Sequence, residues 1–420
     1  MSGELALAPL YNDRLPISIA ILTQQVSNYH AARYRAAAQR FQRVTVLSAM
    51  NDADFPEFLA IGRGDAEIID LCAGKAAYLK AVANGRIKSM TAEALAAAAP
   101  DVVAVAGWAF PESLAAIAWA HQQRVPVVMM SASQHRDGAR SPFREFVKSR
   151  VVRACQSALV GGREQGHYVS LLGMPDNRIF QGYDAVDNEH FWEVAERARA
   201  NADTLRRSLG LPEWYLLASA RFIAKKNLPR LVYAFGKARE QVGTEHGLVI
   251  LGDGPERATV ETAIRNARLE SHVHLPGFQP YDRLPVYYGL AEAFVHVSLA
   301  EQWGLVVNEA AAAGLPMVVS SACGAASELV EDSANGFLVD PTDTAAISAA
   351  LAKLILLSHE ARTAMGARSR QIVAGWGPHR FADGLVRAAS AAMAVPARSP
   401  AVWDRVLLRV LSRRTISAVA

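Results

Sequence analysis

The chain has 420 residues, with 44 Lys or Arg against 40 Asp or Glu and a formal net charge of +4. That length suits two or three domains that each bury a core, and so small a charge offers no footprint for nucleic acid. Hydrophobic residues make up 51%, but much of this is Ala, and no uncharged apolar run is long enough for a membrane-spanning helix. Cys72, Cys155 and Cys323 are odd in number and far apart, which gives neither a disulfide framework nor a zinc spacing and suits a reducing, cytoplasmic setting. The opening MSGELALAPLYNDRLP lacks a basic region ahead of an apolar core, so it does not read as a signal peptide.

In chain order, short apolar runs at 17–23, 43–48, 101–106, 126–131 and 158–161 predict strands separated by longer helical segments. After a charged, strand-free stretch, runs at 215–220, 248–251, 272–275, 293–297 and 317–320 predict a second set. This alternation predicts an α/β chain with two parallel sheets covered on both faces. The expected division is a Rossmann-like domain over 1–185, a linker over 186–206, a second Rossmann-like domain over 207–374, a closing helix over 375–395 and a tail over 396–420. In that tail, PAVWDRVLLRVLSRR sets Trp403, Val406, Leu407 and Val410 at helical spacing against Arg405, Arg409, Arg413 and Arg414. Such a helix suits either an anionic membrane surface or docking on the protein with its arginines in water.

Chemistry concentrates where the second set of strands ends. AEQWGLVVNEAAAAG places Glu301 and Glu309 eight positions apart around a turn that opens a helix. Amides near Trp303, Gly304, Leu305 and Val306 then lack intrahelical partners and sit at the positive end of the helix dipole, which suits phosphate. Glu309, roughly 7–8 Å further along the axis, suits a ribose, and Glu301 the other end of the ligand. In SARFIAKKN, Arg221 and Lys226 follow a strand with no acid between them, a pair suited to clamping a diphosphate. LVILGDGP closes a strand with Gly252 and Gly254, where backbone can approach a ligand, and HVHLPGF ends in Gly277 and Phe278, placed for a nucleobase edge. Asp184 and Asp187 do not supply the oxygen octahedron that magnesium wants.

Over roughly 205–375 these motifs resemble the nucleotide-sugar-binding half of the family-4 glycosyltransferases (group 1), in the same order. The family's Glu-x7-Glu element is matched by Glu301 and Glu309, its Arg…Lys pair by Arg221 and Lys226, and its Gly-x-Gly-Pro loop by Gly252, Gly254 and Pro255. The resemblance implies the GT-B fold, two Rossmann-like domains facing a cleft. It also implies retaining, metal-independent transfer of a hexosyl group from a nucleoside-diphosphate sugar, without cofactor, to a sugar or lipid-linked acceptor in bacterial polysaccharide or glycolipid synthesis. The acceptor side falls to the first domain, where Gln24 and Gln25 replace the family's Gly-rich turn. In the loop SASQHRDGAR, His135 is the candidate for the histidine that relatives hold near the sugar. The location implied is cytoplasmic, or peripheral on the inner membrane face. A sugar-nucleotide epimerase or hydrolase, or a non-catalytic nucleotide-sugar-binding protein, stays open as an alternative.

Overall fold

The computed structural model describes residues 14–51, 66–138 and 140–395, so the tail at 396–420 lies outside the described residues. Its apolar runs form two sheets. The first comprises β1 (Leu15–Thr23), β2 (Phe41–Ser48), β3 (Glu67–Asp70), β4 (Val102–Ala106), β5 (Val127–Ser131), β6 (Ser157–Val160) and β7 (Ile179–Gln181), in spatial order β3-β2-β1-β4-β5-β6-β7. The second comprises β8 (Tyr215–Ser219), β9 (Gly247–Leu251), β10 (Val273–Gly277), β11 (Ala293–His296), β12 (Met317–Ser320) and β13 (Gly336–Val339), in order β10-β9-β8-β11-β12-β13. All recorded pairings are parallel. Strands β4, β5, β9 and β12 are apolar and buried throughout almost their whole length, as helices on both faces require.

In each sheet the strand order reverses beside the first strand, between β1 and β4 and between β8 and β11. Crevices therefore open beyond the carboxyl ends of these strands. The sequence does not predict β3, β7 or β13. All three are edge strands of at most four residues, EIID, IFQ and GFLV, half-exposed and without the long apolar run of a central strand.

The 186–206 segment is not an open connection. Helix Asn188–Ala200 buries Phe191, Ala195 and Ala198 with Tyr287, Tyr288 and Phe294, and a Cβ on Gly289 would lie 2.5 Å from the Ala195 carbonyl. Helix Pro378–Met393 returns to the first sheet, where Phe381, Leu385, Ala388 and Ala389 pack with Ile19, Phe41, Val128 and Met130. Among the described residues no single helix is long and apolar enough to cross a membrane.

Near the carboxyl ends of the first sheet, Tyr78 donates a 2.9 Å hydrogen bond to Glu112, which is 1% exposed. Burial pushes this carboxyl up to about 7. Between its ordinary value of 4.5 and that value, the folded chain holds a proton that the unfolded chain has lost. The resulting stability is present below pH 4.5 and lost as pH rises through 7, about 3 kcal/mol in all. Denaturant melts from pH 5 to 8 should therefore show Glu112→Gln losing less stability with pH than the parent; parallel curves would contradict this.

Candidate active site

The loop after β8 is held by Asn227, whose side-chain amide donates to the carbonyls of Val297 (3.1 Å) and Pro341 (2.8 Å). This turns Lys226 onto Glu301, with which it forms a close ion pair, while Lys225 lies 3.9 Å from the other carboxylate oxygen. The sequence expectation of two unpaired cations is thus corrected for Lys226; Arg221, in the same loop, is exposed. From the end of β11, His296 brings Nε2 to 3.6 Å from Glu301. Burial alone would raise the Glu301 pKa, but the nearby His296 ring and the Lys226 charge outweigh it and hold the carboxyl down at about 2. Glu301 is a fixed anion.

Gly304 has φ +100° and opens helix Leu305–Ala312; a Cβ there would lie 2.8 Å from the Cys323 sulfur. The amides of Leu305 and Val306 stand at this helix start. Trp303 does not face a ligand as expected. Its ring is 2% exposed, packs on Trp376 at 5.0 Å and donates through Nε1 to Asn308 (2.8 Å), so it anchors the turn from below.

Glu309 is 1% exposed and both carboxylate oxygens are occupied, which corrects the expectation of a carboxylate open to a ribose. Tyr288 donates to one oxygen at 2.6 Å, and Tyr29, from the first domain, donates to the other at 2.7 Å. Burial raises the Glu309 pKa against the opposing pull of the two phenols. Tyr29 also meets the edge of Tyr281 at 5.1 Å, and Tyr281 stacks on His190 at 4.9 Å.

Gly252 and Gly254 let the loops after β8 and β9 touch. A Cβ on Gly252 would collide with the Ala220 carbonyl, and one on Gly254 would lie 2.5 Å from that of Phe222. Gly277 accepts from the Gly252 amide at 2.9 Å, and Phe278 beyond it is 49% exposed.

From the first domain, Gln134 donates to the Glu301 carbonyl and Gln165 to the Gln302 carbonyl, both at 2.6 Å. His135 points elsewhere. Its ring meets Tyr168 at 6.0 Å and its carbonyl accepts from Arg140, whereas its neighbour Gln134 reaches the Glu301 carbonyl. The Gln24 side-chain amide is buried without a hydrogen-bond partner among the described residues, and the Gln25 carbonyl accepts from Thr23 at 3.3 Å. Asp187 caps helix Asn188–Ala200, and Asp184 is 7% exposed. Sequence reasoning missed Tyr288, Gln134, Gln165 and His296 and gave Tyr29 no role; only His296, a polar residue ending a buried apolar strand, carries a sequence signal.

Two Rossmann-like domains whose strand ends face each other define the GT-B class, and solved structures agree. The chain superposes on Anabaena HepE in complex with UDP with a TM-score of 0.68 and 17% identity, over 88% of this chain and 98% of that one. Against a sucrose-phosphate synthase from Thermosynechococcus elongatus the TM-score is 0.69 at 18% identity, over 88% and 97%. Residues 201–372 match the family described as Glycosyl transferases group 1. Over 165 residues it is 30% identical to a GDP-mannose-dependent alpha-(1-6)-phosphatidylinositol monomannoside mannosyltransferase of Mycobacterium tuberculosis, covering 37% of this chain and 42% of that protein. Over 228 residues it is 25% identical to N-acetyl-alpha-D-glucosaminyl L-malate synthase of Bacillus anthracis, covering 54% and 55%. The matched regions thus span about half the length of these relatives or less.

Proposed function

We propose that this chain transfers a hexosyl group from a nucleoside-diphosphate sugar, with retention at the anomeric carbon and without a metal, to a glycan, glycolipid or small-molecule acceptor. The observation that carries this reading is the Lys226–Glu301 pair set beside Arg221 and the helix start at Gly304. A diphosphate there would draw Lys226 off Glu301 and take the Arg221 fork and the Leu305 and Val306 amides, leaving Glu301 to accept hydrogen bonds from sugar hydroxyls. On a front-face path the acceptor oxygen bonds to the anomeric carbon as the carbon–phosphate oxygen bond breaks. The diphosphate leaves with the electron pair, and its oxygen takes the acceptor proton. No second carboxylate is placed for a covalent intermediate in this scheme. Glycan and lipid-linked acceptors are supported by the mannosyltransferase relative, which acts on a phosphatidylinositol mannoside.

A thermal-shift series against UDP, GDP, ADP and their sugar conjugates tests the donor site, because a ligand bound only by the folded chain raises its melting temperature. One nucleotide class should stabilise the chain, and Glu309→Ala should abolish that shift. Silence with every nucleotide would overturn the reading. Donor consumption without an acceptor would instead favour an epimerase or hydrolase, and binding without any turnover a nucleotide-sugar-binding protein.

A further inference from the structure

Helix Pro142–Arg153, with sequence PFREFVKSRVVR, follows the first-domain loop that carries Gln134. It leaves two phenylalanines in solvent, Phe143 at 64% and Phe146 at 60% exposure. Leu171, ending the adjacent helix Arg163–Leu171, is also 60% exposed, and with Phe146, Arg150 and Arg153 it lines one shallow cavity. Single exposed apolar residues are ordinary, but three large ones grouped on one face mark an interaction surface.

The charge around them selects the partner. Between residues 136 and 153 there are six cations (Arg136, Arg140, Arg144, Lys148, Arg150 and Arg153) and two acids (Asp137 and Glu145). That excess of four equals the net charge of the whole chain, 44 minus 40, so the remaining residues sum to zero. Both acids are engaged internally. Glu145 accepts from Lys148 at 3.0 Å and Tyr168 at 2.8 Å, and Asp137 accepts from the Gln134 amide at 2.9 Å. Arg136, Arg144 and Arg153 are exposed. Aromatic and aliphatic side chains framed by arginines suit the boundary of an anionic bilayer, where apolar insertion and charge attraction together hold a protein that neither holds alone.

We propose that helix Pro142–Arg153 and the Leu171 end of its neighbour form a docking face for anionic phospholipid. The loop just before this helix touches the second domain, with Gln302 donating to Ser133 (3.3 Å) and Asp137 (3.2 Å). Docking therefore sets the interdomain crevice close to the lipid surface. This surface is built from residues other than the basic tail at 396–420, and it does not rest on the glycosyl-transfer reading.

Co-sedimentation of the full chain with vesicles of phosphatidylcholine alone, or with one-third phosphatidylglycerol, provides the test. Binding is expected to the anionic vesicles only, to weaken with salt, and to fall about tenfold or more in Phe143→Ser/Phe146→Ser and in Arg144→Glu. The melting temperature should stay unchanged, since these side chains are exposed. A Trp403→Ser/Leu407→Ser tail variant should keep the part of the binding that the phenylalanine variant loses. Unchanged vesicle binding in the phenylalanine and Arg144 variants would overturn the proposal. So would a lipid-free dimer that the phenylalanine variant converts to monomer, because the face would then be an interface between copies of this chain.

Discussion

Lys226→Ala is expected to reduce kcat by about 10²–10³-fold, the scale on which removing one pre-organised donor to a developing oxyanion acts. Two structural facts make the effect large. Lys226 is largely buried in its pair with Glu301, and Asn227 fixes the backbone that aims it through bonds to two separate loops. Its charge is therefore already positioned before a diphosphate arrives. Removing it also leaves the more distant Lys225 as the cation beside Glu301, so the depressed carboxyl should move back toward its ordinary value. Steady-state kinetics at saturating donor, beside nucleotide titration, separate the two consequences. The expected pattern is a large fall in kcat with a smaller loss of nucleotide affinity. A kcat within about threefold of the parent would remove Lys226 from the chemistry.

Opposite outcomes are expected at the two ends of the Tyr29–Glu309 hydrogen bond. Glu309→Ala should weaken nucleotide binding by about a hundredfold, because a carboxylate that takes two ribose hydroxyls makes charge-assisted bonds. Tyr29→Phe should tighten it about tenfold. In the described state the Tyr29 phenol occupies a Glu309 oxygen that a bound ribose would take, so binding would first displace a residue of the first domain. Deleting that competitor removes the cost, as raising the fraction of binding-competent protein does in general. Tyr288→Phe serves as the control, since Tyr288 belongs to the second domain, and no gain in affinity is expected there. Calorimetric titration of the three variants decides the matter. Weaker binding in Tyr29→Phe would make Tyr29 part of the donor site and not its rival.

What was legible in the sequence divides by range. Central strands such as LVIL of β9 and MVVS of β12 announce themselves because burial on both faces demands an apolar run. Strands β3 and β13 lack that demand on one side and read as loop. The Glu301–Glu309 spacing and the Arg221–Lys226 pair are local patterns, and the family resemblance built on them agrees with the matched segment at 201–372. The partners that set their state are not local. Tyr29 meets Glu309 across 280 positions of chain and Gln134 meets Glu301 across 167, and no periodicity encodes such a meeting. Trp303 shows the converse error. Its position beside the helix start is evident, but the direction of its ring is set by packing against Trp376, which sequence spacing does not reveal.

The helix Pro378–Met393 also bears on how the chain is made. It completes the first domain's core with residues synthesised 197 positions or more after the last strand of that domain at Gln181. At the usual 5–20 residues per second, a ribosome takes about 10–40 s to cover that distance. Throughout this interval the surface that will receive Phe381, Leu385 and Ala388 lacks these partners, while the second domain's core, which runs to Val373 and Trp376, is synthesised in full. The domain made first is thus the last to be finished, its apolar seam open until the final described helix arrives.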